Sequence, residues 1–125
     1  MITETERYGE AQIENAELEA LPNPAAHREY TVEMSYPEFT CKCPRSGYPD
    51  FATITLTFVP AGFICELKSW KLYLNRYRDQ YIFHEAVTNR ILDDLVACIG
   101  PRQMTVQTDW NVRGGIHTTV TASTP

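Results

Sequence analysis

The chain predicts an α+β domain in the order ββααββ, a four-stranded antiparallel sheet with two helices on one face. Four segments alternate apolar and polar residues with the period of half-buried strands. Two segments between the second and third of these carry apolar residues at helical spacing instead. At 125 residues the chain is long enough for one hydrophobic core and too short for two.

Residues 1–26 come first, an acidic Ala/Glu-rich lead ending in Leu21-Pro22-Asn23-Pro24. Glu10 to Glu19 can form a helical turn or two, but the segment reads as a mobile extension. Residues 27–125 remain as the single domain. In the first strand Tyr30, Val32, Met34 and Tyr36 alternate with Thr31, Glu33 and Ser35. In the second Ala52, Ile54, Leu56 and Phe58 alternate with threonines. The first helix shows Trp70, Tyr73, Leu74 and Tyr77 on one side. The second shows the stripe Val87, Ile91, Leu95 and Cys98, stopped by Gly100-Pro101. The third strand carries Met104, Val106 and Trp110, and the fourth carries Ile116, Val120 and Ala122. Every strand has one apolar and one polar face, the pattern of a sheet covered on one side. The polar face either meets solvent or lines a wet channel where several subunits join their sheets into a barrel.

Composition excludes several function classes. The net charge of −5 resides in residues 1–25, where six glutamates face Arg7 alone, so the rest is neutral overall. A basic nucleic-acid surface is not indicated. No apolar run has the length of a membrane span, and Met1-Ile2-Thr3-Glu4 does not open a signal peptide. The expected location is the cytoplasm, where the four cysteines (Cys41, Cys43, Cys65 and Cys98) are thiols rather than disulfides.

The residues that can carry chemistry fall in four places. Cys43 opens a Pro/Gly-rich loop beside Arg45, a setting in which a thiol can ionise, although a lone cysteine is otherwise a small core residue. Asp50 closes the same loop, either as a strand-initiating residue or as a general acid. In Glu66-Leu67-Lys68-Ser69-Trp70-Lys71-Leu72-Tyr73, Lys68 and Lys71 stand three apart, which puts both ammonium groups on one side of a helix to hold phosphate. His84-Glu85 opens the second helix. The macrodipole alone favours an acid there, but Glu85 can also accept two parallel N–H bonds from a guanine-like base edge. His84 can close over such a ligand or relay a proton. Arg113-Gly114-Gly115 is a hairpin turn or a phosphate contact. Cys41-Lys42-Cys43 lacks the second tight ligand pair that zinc requires, so no metal site is expected. Cys41 is either an inward-packed strand residue, the plainer account, or a thiol that guards Cys43 by a reversible disulfide.

The chain resembles the single-module family of NADPH-dependent 7-cyano-7-deazaguanine reductases, the QueF nitrile reductases of queuosine biosynthesis, a tRNA modification. The resemblance runs from about Tyr36 to Ile116. It rests on Glu38-Phe39-Thr40, Cys43-Pro44, Gly47, Pro49-Asp50-Phe51-Ala52, the block Glu66–Tyr73, Phe83-His84-Glu85, Pro101-Arg102 and Arg113-Gly114-Gly115. It implies that Cys43 attacks the nitrile carbon to form a thioimide and that Asp50 protonates the nitrile nitrogen. It implies that Glu66 and Glu85 hold the deazaguanine, with Cys65, Leu67 and His84 lining the pocket. Lys68, Lys71 and Arg113 would then grip the phosphates of NADPH. The family has the tunnelling fold, in which ββααββ subunits close into a barrel as stacked pentamers with active sites between subunits. No Rossmann Gly-x-Gly-x-x-Gly is present, so the basic residues must serve NADPH.

Two other readings compete. A tunnelling-fold relative of the archaeosine type captures the same nitrile but adds an amine, and the two lysines argue for NADPH instead. A non-catalytic purine- or pterin-binding oligomer explains Glu85 but not Cys43 together with Asp50. A GTP-cyclohydrolase-like zinc enzyme lacks its metal ligands.

Overall fold

The computed structural model describes residues 7–125, so Glu4 and Glu6 of the acidic lead lie outside the described residues. The elements are α1 (Tyr8–Glu14), β1 (Ala20–Pro22), β2 (Val32–Lys42), β3 (Pro49–Val59), β4 (Phe63–Cys65), α2 (Leu67–Asn75), α3 (His84–Ile99), β5 (Gln103–Arg113) and β6 (Ile116–Ser123). A 3-10 turn at Arg76–Asp79 extends α2. The main sheet is antiparallel in the order β2-β3-β5-β6. The expected ββααββ core is therefore present, with α1 and the short β1–β4 ribbon added to it.

The core lies between one sheet face and the helices. Ala52, Ile54, Leu56 and Phe58 of β3, with Met104, Val106 and Trp110 of β5, form its floor, and all are buried. From above, Trp70, Tyr73 and Leu74 of α2 and Val87, Ile91 and Leu95 of α3 meet them. Removing each such side chain from water contributes about 1.5–3 kcal/mol. The stripe on α3 is broader than a single line and takes in Thr88 and Leu92. It ends on Ile99, which is buried, while Cys98 is only half-buried.

The first strand runs past its expected end, with a break in alternation inside it. Tyr36 is opposite Ile54 but Phe39 is opposite Ala52, so β2 carries one extra residue at Pro37-Glu38. Proline has no N–H to give the ladder and is tolerated at such a bulge. The extra residue reverses the parity of the strand. Val32, Met34 and Tyr36 lie over the core before it, and Phe39 and Cys41 face inward after it.

Residues 16–23 of the lead, expected as part of a mobile extension, are docked on the fold. Ala20, Leu21 and Pro22 pair with Cys65, Ile64 and Phe63. The Glu66 N–H donates to the Glu19 carbonyl at 2.8 Å, and the Glu19 N–H donates to Ser69 Oγ at 3.0 Å. Ala16 is buried, and Leu18 and Ala20 pack on the core. Small, scattered apolar residues give no periodic signal, which is why the sequence read as unstructured here.

Asn23 clasps this lead to the loop after β3. Its N–H donates to Gly62 O at 2.9 Å and its Nδ2 to Ala61 O at 2.8 Å. Its Oδ1 accepts from the Ala25 N–H at 3.0 Å and from the Tyr30 hydroxyl at 2.5 Å. Asn23→Ala removes the three side-chain bonds, leaves part-buried partners at Ala61, Ala25 and Tyr30 unpaired, and is expected to cost about 1–3 kcal/mol in urea denaturation. Wild-type stability in that variant would show that the clasp is not needed.

Candidate active site

Between β2 and β3 the chain makes a tight turn around a thiol. The Cys43 N–H donates to Tyr48 O at 2.9 Å and the Gly47 N–H to Cys43 O at 2.9 Å. Gly47 has a φ of +75°, a conformation that side chains rarely adopt, so the turn needs glycine there. Wound this way, the turn aims donors at the sulfur: the Ser46 hydroxyl first, then the N–H groups of Ser46 and Arg45, and the Arg113 guanidinium. They favour the thiolate and lower the Cys43 pKa to about 7. Ser46 Oγ is itself held by the Tyr48 N–H at 3.2 Å and by Arg113 at 3.5 Å.

Asp50 lies behind this turn. It continues the inward-facing row of Ala52, Ile54, Leu56 and Phe58, so its carboxylate is buried at 3% exposure. A buried charge needs partners. Arg113 Nη1 bonds Oδ1, and His84 Nε2 lies 3.1 Å from Oδ2. Arg113 reaches it through a second bulge. Trp110 is opposite Thr118 but Arg113 is opposite Ile116, so β5 carries one extra residue at Asn111-Val112. Without it Val112, not Arg113, would continue the inward row of Met104, Val106, Thr108 and Trp110. Gly114 and Gly115, at φ +57° and +83°, then turn the hairpin. The hairpin expectation for this pair therefore holds, while Arg113 serves the Cys43–Asp50 cluster. His84 comes from the first turn of α3 and stacks flat on Trp110, with ring centroids 3.8 Å apart and planes at 8°. Glu85 is exposed beside it.

A second group is built at the β4–α2 junction. Glu66 is the N-cap of α2, its oxygens accepting from the Lys68 N–H at 2.7 Å and the Ser69 N–H at 2.8 Å. Further contact with a base would use the remaining lone pairs. Ser69 Oγ donates back to Glu66 O at 2.7 Å. Leu67, Lys68 and Lys71 are exposed on α2. Two ammonium groups on one solvent-facing side suit the phosphates of a dinucleotide, so this donor set fits NADPH. Cys65 is buried, and burial raises its thiol to about 11.

The structure thus brings Cys43, Asp50, His84 and Arg113 together, and organises Cys65, Glu66, Leu67, Lys68 and Lys71 separately around the start of α2. Sequence reasoning missed Ser46, Trp110 and the capping role of Glu66. The alternation that marked β3 did carry a signal, since extending it by one step places Asp50 inward. Cys41 is fully buried opposite Asp50, and burial pushes its thiol to about 12, so it is a packing residue in this structure. Among the described residues no cluster of three or more His, Cys, Asp or Glu could hold a metal ion. A cavity of about 480 Å³ between α1 and the Arg76–Asp79 turn shares no residue with either group.

The lowered Cys43 pKa gives a direct expectation. Thiolate is lost as pH falls through about 7, so alkylation of Cys43 by iodoacetamide should be about tenfold slower at pH 6 than at pH 8. Ser46→Ala removes the foremost donor and should move the midpoint upward. A wild-type midpoint near the ordinary 9.0 would mean that these donors do not act on the sulfur.

Residues 49–125 match the family model described as QueF-like protein. The chain is 52% identical over 120 residues to the NADPH-dependent 7-cyano-7-deazaguanine reductase of Aquifex aeolicus, covering 96% of this chain and 93% of that one. It is 59% identical over 106 residues to the protein of the same name from Thermomicrobium roseum, covering 85% and 83%. Among solved structures, the apo archaeosine synthase QueF-Like superposes with a TM-score of 0.67 at 20% identity, over 76% of this chain and 91% of that one. That likeness shows the fold alone, the α+β tunnelling fold. No helix among the described residues is long and apolar enough to cross a membrane. By the family-model match and its identity to these relatives, the chain belongs to the QueF-like family.

Proposed function

We propose that this chain uses NADPH to reduce the nitrile of 7-cyano-7-deazaguanine to the aminomethyl group through a thioimide on Cys43, in queuosine biosynthesis. The observation that carries the reading is one hydrogen-bonded cluster holding a thiol with a lowered pKa and a buried carboxylate. The relatives of the same length bear this activity in their names.

The chemistry follows from those residues. The Cys43 thiolate adds to the nitrile carbon, forming the S–C bond while one π pair moves onto nitrogen. Asp50, a carboxylate at rest, relays a proton to that nitrogen: His84 Nε2, whose ring is partly open to solvent and reloads there, passes one along their shared hydrogen bond. Addition converts an unreactive triple bond into a C=N group. NADPH, when bound, supplies the two hydrides that bring the carbon to the amine level. The Cys43 sulfur departs between the two, its C–S pair returning to the thiolate, which leaves a C=N group able to accept the second.

Recognition is divided between the two groups. Glu85 and Glu66 hold the N–H edge of the base, and Cys65, Leu67 and His84 line the pocket. Lys68 and Lys71 hold cofactor phosphate, and of the five Arg113 N–H donors those not on Asp50, Ser46 and Cys43 are left for it. Residues 27–125 carry this catalytic domain. The two groups meet across a subunit boundary in a barrel of stacked pentamers, with the Thr-rich sheet face lining the interior. Four cysteines read as thiols and a substrate of tRNA modification support a cytoplasmic location.

Mixing the protein with 7-cyano-7-deazaguanine and NADPH should consume the reduced nicotinamide at two equivalents per nitrile. A covalent adduct without consumption would instead indicate an amine-adding enzyme of the archaeosine type. Without NADPH, intact mass should rise by one ligand in the wild type and not in Cys43→Ala, whereas a gain in that variant would overturn the nucleophile. Lys68→Ala with Lys71→Ala should weaken NADPH binding and leave adduct formation intact. In a Cys43→Ala background, Glu85→Gln should lose about 1.5–3 kcal/mol of nitrile affinity. Unchanged affinity would remove Glu85 from the pocket.

A further inference from the structure

Behind His84 runs a chain of hydrogen bonds that the reaction above does not use. Trp110 Nε1 donates to Thr108 Oγ1 at 2.8 Å. Thr108 Oγ1 lies 2.7 Å from Thr88 Oγ1, and Thr88 Oγ1 donates to His84 O at 2.8 Å. An indole N–H can only donate and a carbonyl can only accept. The middle bond therefore runs from Thr108 to Thr88, and each hydroxyl gives one bond and receives one. Both threonines are fully buried, and Trp110 is 1% exposed. The same Trp110 presents its ring face to the His84 imidazole, and that imidazole meets Asp50 Oδ2. One residue thus holds His84 twice, by its ring and, through two hydroxyls, by its backbone.

Packing alone does not call for this chain. Valine has nearly the shape of threonine, and replacing both partners of a buried hydrogen bond by apolar groups of the same shape is close to neutral. The hydroxyls do add direction. They fix the first turn of α3, from which the His84 side chain departs, and the indole fixes the plane of its ring. Two constraints on one imidazole leave Nε2 aimed at the carboxylate.

We propose that Trp110, Thr108 and Thr88 are positioning residues, which hold His84 against Asp50 so that the Asp50 proton is replaced during turnover. The proposal rests on the reductase reading. It separates two steps. Bond formation by Cys43 depends on its own turn, and repeated protonation depends on the His84–Asp50 contact.

The test measures adduct formation by intact mass without NADPH, and kcat and KM for the nitrile with NADPH, in the full-length protein. Thr88→Val should form adduct as the wild type does, with KM within about twofold and kcat lowered about tenfold, as expected when a proton-transfer group is misplaced. Thr88→Ser keeps the hydroxyl and should restore kcat to within about twofold of the wild type. Wild-type kcat in Thr88→Val would overturn the proposal. Equal loss in Thr88→Ser and Thr88→Val would also overturn it, because the methyl group and not the hydroxyl would then matter. Should Thr88→Val fail to fold, Thr108→Val and Thr108→Ser break and keep the neighbouring link and are judged alike. Trp110→Phe, which retains a ring but no N–H, reads the same chain from its far end. A wild type that neither forms adduct nor consumes NADPH would overturn the reductase reading itself. An active wild type with an indifferent Thr88→Val overturns only the positioning role.

Discussion

A carboxylate stands at the end of an apolar row, and much of this structure answers to it. β3 sends Phe58, Leu56, Ile54 and Ala52 into the core, and the next inward position is Asp50. An ionised group taken out of water costs several kcal/mol unless charge and hydrogen bonds replace the lost hydration. The replacements come from far along the chain, Arg113 from the end of β5 and His84 from the start of α3. Meeting that demand brings the last hairpin and the second helix to the same end of the sheet, beside the turn that carries Cys43.

Two bulges make this meeting possible. A side chain changes face with every residue of a strand, so one inserted residue reverses everything beyond it. In β2 the insertion at Pro37-Glu38 turns Phe39 and Cys41 inward. In β5 the insertion at Asn111-Val112 turns Arg113 toward Asp50. Arg113 then reaches the Cys43 sulfur as well, so one guanidinium favours both a buried carboxylate and the thiolate of a half-buried cysteine. The stability of the fold and the reactivity of the thiol share a residue.

The N-terminal lead connects to the second group by similar logic. β1 pairs with β4, and the Glu19 backbone ties to Glu66 and Ser69, the residues that start α2. Lys68 and Lys71 project from the turns that follow. The backbone at Glu19 thus braces the start of the helix that carries both cations.

The sequence by itself determined the fold class and the six elements of the core. Those follow from local rules, since period-two alternation, helical spacing and the Gly-Pro stop act within a few residues. The sequence also held a sign that Asp50 faces inward, in the alternation of its own strand. Only the tertiary structure decided that Arg113 belongs with Cys43 and Asp50, that Trp110 is the floor beneath His84, and that the lead is docked. Each depends on partners tens of residues away. The two bulges illustrate the reason. A strand's parity can be read from its own residues only until an extra residue enters the ladder, and the neighbouring strand's register is what reveals that residue.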